Sequence, residues 1–172
     1  MFPASMTLPG YIVKNSRIHG RGLFASRLLA SGEIVAEYTG ERLDKNESAR
    51  RQAMNRAIFI FELDENYDLD GDSPGNHARF ANHSCEPNCE AVAAHGRVRL
   101  RALRRIEPEE ELTFDYGFPL AVFPGHPCRC GAPSCCGFIV SDPDRWRVRR
   151  LLNRPGRSLL HGCPPVRKEV CA

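Results

Sequence analysis

The sequence predicts a mostly β domain with a minority of helix (β+α). Three observations carry that expectation. Apolar, β-branched and aromatic residues gather into short runs at 11–14, 33–38, 58–63, 90–94, 97–101 and 111–116, each of strand length. Only the stretch after Asp44 reads as a clear helix. Strands and helices show no alternating rhythm, which argues against a parallel sheet built from βαβ units.

In chain order, Tyr11-Ile12-Val13-Lys14 reads as a strand leading into Ser16-Arg17-Ile18-His19-Gly20-Arg21-Gly22. The paired glycines permit a tight turn and close approach of backbone to a ligand, although a plain hairpin turn satisfies the same pattern. Residues 33–38 form the next strand, ended by Thr39-Gly40, with Tyr38 at its rim. Asp44-Lys45-Asn46-Glu47 has the spacing of a capping box and predicts a helix to about Arg56. Its apolar face is only Ala49, Ala53 and Met54, so most of it should be solvated. The continuous apolar content of 58–63 predicts a buried strand, with 66–70 pairing back on it. Asp64, Glu65, Asp68, Asp70 and Asp72 lack the spacing and closing Glu of a calcium loop and read as turns with solvated carboxylates. Residues 90–94 and 97–101 form a hairpin across His95-Gly96, the second strand alternating Arg outward with Val or Leu inward. Residues 111–116 make one more strand before Gly117.

A length of 172 residues suits one domain plus a small appendage, and an apolar fraction of 42% is enough for a real core. A formal charge of +3 is too small to announce nucleic-acid binding. Lysine occurs only at Lys14, Lys45 and Lys168, an arginine bias consistent with GC-rich, bacterial coding. No apolar run approaches a membrane span, and Met1-Phe2-Pro3-Ala4-Ser5 lacks the regions of a signal peptide, so the expected location is cytoplasmic. In a reducing compartment the eight cysteines read as metal ligands or free thiols before disulfides.

The densest chemistry lies in Arg79-Phe80-Ala81-Asn82-His83-Ser84-Cys85-Glu86-Pro87-Asn88-Cys89. Pro87 and the asparagines argue against a long helix or a central strand, so the segment reads as an ordered loop. So polar a loop stays rigid only if its donors and acceptors find fixed partners or a ligand. A second dense stretch is Cys128-Arg129-Cys130-Gly131-Ala132-Pro133-Ser134-Cys135-Cys136-Gly137. Its C-x-C-x4-C spacing is one thiol short of the four that structural zinc prefers. Cys85 is the natural fourth, with Cys136 as its competitor. A helix capped by Asp142, with Pro143 at its first position, should follow. Its body, residues 145–152, reads as a solvated packing helix rather than a nucleic-acid binder, and the end with Cys163 and Cys171 as loose.

Gly20-Arg21-Gly22, Tyr38-Thr39-Gly40, the 79–88 stretch and Glu111-Leu112-Thr113-Phe114-Asp115-Tyr116 occur in the order and spacing of SET-domain protein lysine methyltransferases. The chain resembles the short, stand-alone bacterial members, and the cysteine knuckle is similar to their post-SET zinc motif. The resemblance covers about residues 11 to 139; the cysteine-rich pre-SET segment of many histone enzymes is lacking. It implies a SET-domain, β-clip-like fold with knot-like C-terminal threading. The implied parts are a SET domain over 11–118, a post-SET zinc knuckle over 126–139, and a C-terminal basic helix and loose tail over 140–172.

The resemblance further implies transfer of methyl groups from S-adenosylmethionine to the ε-amine of lysine in a protein substrate, a histone or another protein. Gly20, Arg21 and Gly22, with Arg79, Phe80, Asn82, His83 and Tyr116, would hold that cofactor, and Phe138 would cover its adenine. Tyr116 and Tyr38 would line the lysine channel, with Phe114 at its inner wall. Zinc would be held by Cys85, Cys128, Cys130 and Cys135. Phe59 stands where relatives often have Tyr, and Ala91 where some monomethylating relatives have Tyr. With no hydroxyl on Phe114, the implied products are di- and trimethyl-lysine. The implied protein is a monomer, with an oligomer left open, and needs neither membrane nor nucleic acid; secretion into a host cell is an open route. Two other classes compete: a catalytically weak SET-fold interaction module, and a nucleic-acid-binding zinc protein using Arg97, Arg99, Arg101 and the 145–150 run.

Overall fold

The computed structural model of the chain describes residues 10–54 and 59–153. Its first half contains β1 (Tyr11–Asn15), β2 (Arg21–Ala25), β3 (Ile34–Tyr38), β4 (Glu41–Asp44), α1 (Lys45–Ala53), β5 (Ile60–Glu62) and β6 (Tyr67–Asp70). The second half contains β7 (Asn82–His83), β8 (Cys89–Ala94), β9 (Arg97–Ala102), β10 (Glu111–Phe114) and α2 (Arg145–Leu152). The described chain is therefore mostly β, as its short apolar runs require.

The strands form three small sheets, in the orders β1-β2-β10-β7, β3-β9-β8 and β4-β6-β5. Within β9 the alternation is strict where it matters. Val98, Leu100 and Ala102 are buried, whereas Arg97 and Arg99 turn outward to Glu37, and Arg101 to Glu90. The β8–β9 hairpin closes through His95 and Gly96, both left-handed (φ 52° and 73°), the geometry a two-residue I′ turn demands. Leu23, Leu29, Leu100, Ile106 and Leu112 are the largest fully buried side chains and lie in one core under all three sheets' inner faces. Each such burial contributes roughly 1.5–3 kcal/mol. An exposed ion pair such as Arg101–Glu90 contributes about 0–1 kcal/mol, so the core and not the arginine-rich surface holds the domain. A second, separate cluster of Phe123, Cys136, Val140 and Val148 joins the cysteine knuckle to α2.

The structure departs from several of the sequence expectations. Asp44 does cap α1, accepting from the Glu47 amide at 2.9 Å, but the helix ends at Ala53; Arg56 lies outside the described residues. Ser48, and not Ala49, Ala53 or Met54, is its buried residue, because ion pairs orient the helix: Arg51 reaches Asp70 and Lys45 reaches Asp68, each at 2.6 Å. Those contacts also explain why Asp68 and Asp70 are buried rather than solvated. The described part of the 58–63 run does not form a buried strand. β5 is a three-residue, half-exposed edge, because β6 takes the middle of its sheet by pairing on its other side with β4, and Ile58 lies outside the described residues. Finally, the 79–89 segment is not all loop: a 3-10 turn (His77–Phe80) delivers the two-residue β7 into parallel pairing with β10.

Candidate functional site

The site forms where β7 lies beside β10, Asn82 opposite Thr113 and His83 opposite Phe114. Each polar side chain of this segment has a defined partner. The Asn82 amide donates to His19 O (3.2 Å), Arg21 O (3.0 Å) and Glu111 Oε1 (2.7 Å), so it fastens the Gly20–Gly22 turn to the sheet. Ser16 donates to the same carboxylate at 2.7 Å. Asn88 clamps β10 from the other side, donating to Glu111 O and accepting from the Thr113 amide, both at 2.9 Å. Sequence reasoning assigns no role to Glu111 or Asn88; a strand-initial Glu that points inward leaves no cue in a single sequence.

His83 is buried, with Nδ1 accepting from the Tyr116 amide at 3.2 Å and Nε2 lying 3.5 Å from Cys85 Sγ. Burial lowers its pKa to about 4, partly opposed by Asp115, so the ring is neutral and its Nδ1 free to accept. Tyr116 is thereby held at both ends: its amide on His83 and its hydroxyl on Ala81 O, 3.0 Å away. The Tyr38 hydroxyl donates to Phe59 O at 2.7 Å, and a Cβ on Gly71 would overlap its ring, so only glycine admits Tyr38 there. Tyr38 is thus buried rather than at a rim. Burial raises the pKa of both phenols, which stay protonated. Between them runs an aromatic wall: Tyr38 to Phe61 at 5.6 Å, Phe61 to Phe114 at 6.2 Å, and Phe114 to Tyr116 at 4.8 Å between ring centroids. Phe61 is the member that sequence reasoning missed, though its place in the apolar run before Glu62 was a signal.

Arg79 donates to Asp72 at 2.7 Å and lies over the rings of Phe59 (5.2 Å) and Phe80 (5.0 Å); Arg21 covers Phe80 from 4.5 Å. The Arg79 Nε is buried without a partner, and a Cβ built on left-handed Gly20 would meet nothing within 4 Å. An open glycine turn, an orphaned donor and an aromatic–guanidinium stack fit a cofactor with an amino-acid end and a purine. Phe138 stands apart from this group in the second cluster, its ring edge-on to Phe123 at 5.2 Å.

The four thiols of Cys85, Cys128, Cys130 and Cys135 lie within 4.8 Å of one another. A zinc–sulfur bond of about 2.3 Å implies a tetrahedral edge of about 3.8 Å, close to the 4.0 Å between Cys85 and Cys128. The donor set fits zinc. Burial, then the neighbouring thiols, pushes Cys85 up, and burial pushes Cys128 up to about 12. Burial would also raise Cys130, but amide and thiol donors, the Cys85 N–H at 3.4 Å among them, outweigh it and lower it to about 7. A divalent cation favours the thiolate at all four. Cys136 is not among them: it is buried in the second cluster, 3.5 Å from Phe138 O.

α2 differs from its sequence reading. Asp142, Pro143 and Asp144 form a 3-10 turn, Asp144 is the N-cap without a side-chain capping bond, and Arg145 is buried, not solvated. No helix among the described residues is long and apolar enough to cross a membrane.

Comparison with known proteins gives one family. The SET domain family model matches residues 20–117. The chain is 41% identical over 135 residues to the histone-lysine N-methyltransferase trithorax of Drosophila virilis, covering 74% of this chain and 4% of that protein. It is 39% identical over 135 residues to the H3 lysine-4 specific histone-lysine N-methyltransferase of Saccharomyces cerevisiae, covering 72% and 12%. It is 40% identical over 136 residues to human histone-lysine N-methyltransferase 2B, covering 74% and 5%. The chain thus spans only a small fraction of the length of these eukaryotic relatives.

Proposed function

The chain belongs to the SET-domain family, and from that premise we propose that it transfers methyl groups from S-adenosylmethionine to lysine side chains of a protein substrate, a histone among the candidates. The observation that carries this reading is the hydroxyl of the half-buried Tyr116, fixed beside an aromatic wall and a glycine turn at the β7–β10 pair. When bound, the cofactor supplies a methyl group on a sulfonium, an electrophile that already carries its leaving group. The protein's task is then alignment.

Lysine must enter neutral, which at a reference pKa near 10.4 costs about 4.6 kcal/mol at pH 7. An aromatic channel lowers that cost by penalising the ammonium, so no dedicated base is needed. The Tyr116 proton is engaged by Ala81 O, which leaves the oxygen's lone pairs to accept from the amine N–H and aim its own lone pair. Tyr38, engaged on Phe59 O, presents its oxygen in the same sense. In this reading Gly20, Arg21, Gly22, Arg79, Phe80, Asn82 and His83 hold the cofactor, and Phe138 would cover its adenine from the second cluster. Zinc on Cys85, Cys128, Cys130 and Cys135 joins the 126–139 knuckle to the domain at 11–118, with 140–172 as an appended part. Phe114, buried and without a hydroxyl, offers no anchor against a bulkier methylammonium, which supports di- and trimethyl-lysine as products. Against the nucleic-acid reading, Arg97, Arg99 and Arg101 are occupied by Glu37 and Glu90. The arginine bias is consistent with GC-rich, bacterial coding; a cytoplasmic setting is part of the proposal, with export to a host as the variant.

The test is to incubate metal-loaded protein with S-adenosylmethionine and purified histones or whole lysate proteins, reading lysine mass shifts by mass spectrometry. Methyl-, then di- and trimethyl-lysine are expected. Cofactor binding with no transfer to any protein would favour the interaction module instead.

A further inference from the structure

Arg145 is the one arginine buried among the described residues, and it lies beyond the residues matched by the family. α2 carries it back to the site. One guanidinium nitrogen donates to Cys85 O at 2.6 Å and to Asp142 Oδ1 at 2.7 Å; the other donates to Asp115 Oδ2 at 2.5 Å. The far oxygen of Asp115 accepts from the Gly117 amide at 2.9 Å and lies 3.6 Å from His83 Nδ1. Asp115 and Gly117 flank Tyr116, whose own amide is bonded to that same His83 nitrogen. The guanidinium therefore grips at once the carboxylate that brackets Tyr116 and the backbone of a residue in the thiol cluster.

We propose that Arg145 is a positioning residue for methyl transfer: through Asp115 it fixes the Tyr116 hydroxyl, making the docking of α2 a condition of turnover. The inference rests on the methyltransferase reading. Its physical basis is the fork. A planar guanidinium serves a carboxylate and a carbonyl at fixed angles, whereas an ammonium is a point charge that satisfies one and swings from the other. Arg145 Nε has no partner, so Arg145→Lys disturbs only the guanidinium's contacts to Asp115, Cys85 O and Asp142 while keeping the charge beside Asp115. A small displacement of Tyr116 is costly because alignment is most of the catalysis.

The experiment compares Arg145→Lys, Asp115→Asn and the double variant with wild type in metal-loaded full-length protein. Arg145→Lys should retain its metal and its affinity for S-adenosylmethionine. Its kcat should fall about ten- to a hundredfold while KM for the protein substrate changes little. The double variant should fall no further than the weaker single, since both act through one contact. Hydrogen exchange should quicken at the Tyr116 and Gly117 amides and stay unchanged in β2 and β9. Wild-type kcat with unchanged exchange at Tyr116 would overturn the proposal, as would additive losses. Metal loss with faster exchange throughout the knuckle would show a merely structural role and overturn it as well. If wild type itself transfers no methyl group, the functional reading fails, and the exchange at Tyr116 still decides whether Arg145 positions it.

Discussion

At the scale of single residues, the site is a set of polar groups each spending its capacity on a neighbour. Tyr116 is the clearest case, because its amide, ring and hydroxyl all have partners and only the hydroxyl lone pairs remain. Tyr116→Phe should therefore leave S-adenosylmethionine binding nearly intact and cut turnover by about a hundredfold, the scale of one lost positioned polar group; calorimetry and steady-state kinetics check the two halves. Phe114→Tyr places a hydroxyl in the aromatic wall, next to Tyr116 at 4.8 Å. The expected outcome is a lower final methylation state with the first transfer retained, read in mass spectra at long times with excess cofactor. Asn88 acts on stability instead. Removing its amide by Asn88→Ala strands the Thr113 N–H and Glu111 C=O, and should cost about 2–4 kcal/mol in urea unfolding.

At the scale of elements, the decisive device is the short parallel β7–β10 pair. Two residues cannot hold a strand by backbone bonds alone; side-chain amides of Asn82 and Asn88 on either side do it. α1 is placed by charge rather than by an apolar stripe, which is why its alanines face solvent. Its intrinsic support is the cap together with the Glu47–Arg50 and Glu47–Arg51 pairs, so Asp44→Ala should lower global stability by about 1 kcal/mol without altering the aromatic wall; denaturant melts and kinetics would show the separation. Strand content was legible in the sequence: the runs at 11–14, 33–38, 90–94, 97–101 and 111–116 all contain strands. The run at 58–63 misled because continuous apolar content fits a strand in the middle of a sheet, whereas β5 has one paired edge among the described residues and is half-exposed.

At the scale of the whole molecule, the two cores meet through contacts that include the thiol cluster and Arg145. The main core needs neither, whereas the knuckle's small cluster of Phe123, Cys136, Val140 and Val148 is too slight to stand alone. Chelation of bound zinc should abolish transfer while circular dichroism shows the β core largely retained, and Cys85→Ser should reproduce that state. Full metal occupancy in Cys85→Ser would remove Cys85 from the ligand set.

The sequence by itself determined what depends on local chemistry. Strand length and alternation specified a mostly β domain, His95-Gly96 specified a turn, and the order of four motifs with the C-x-C-x4-C knuckle pointed to the family that the comparison then showed. The convergence of Cys85 with the knuckle thiols was legible too, because a tetrahedral ion leaves a three-thiol knuckle one ligand short. Only the tertiary structure decided which way ambivalent side chains face. Arg145 reads as one more solvated arginine in a basic run, and Glu111 as the polar start of a strand. The reason is physical: taking a charge out of water, wholly for Arg145 and in part for Glu111, is favourable only where partners distant in sequence converge on it, and those partners, Asp115 and Cys85 O for Arg145, Asn82 and Ser16 for Glu111, are brought together by the fold alone.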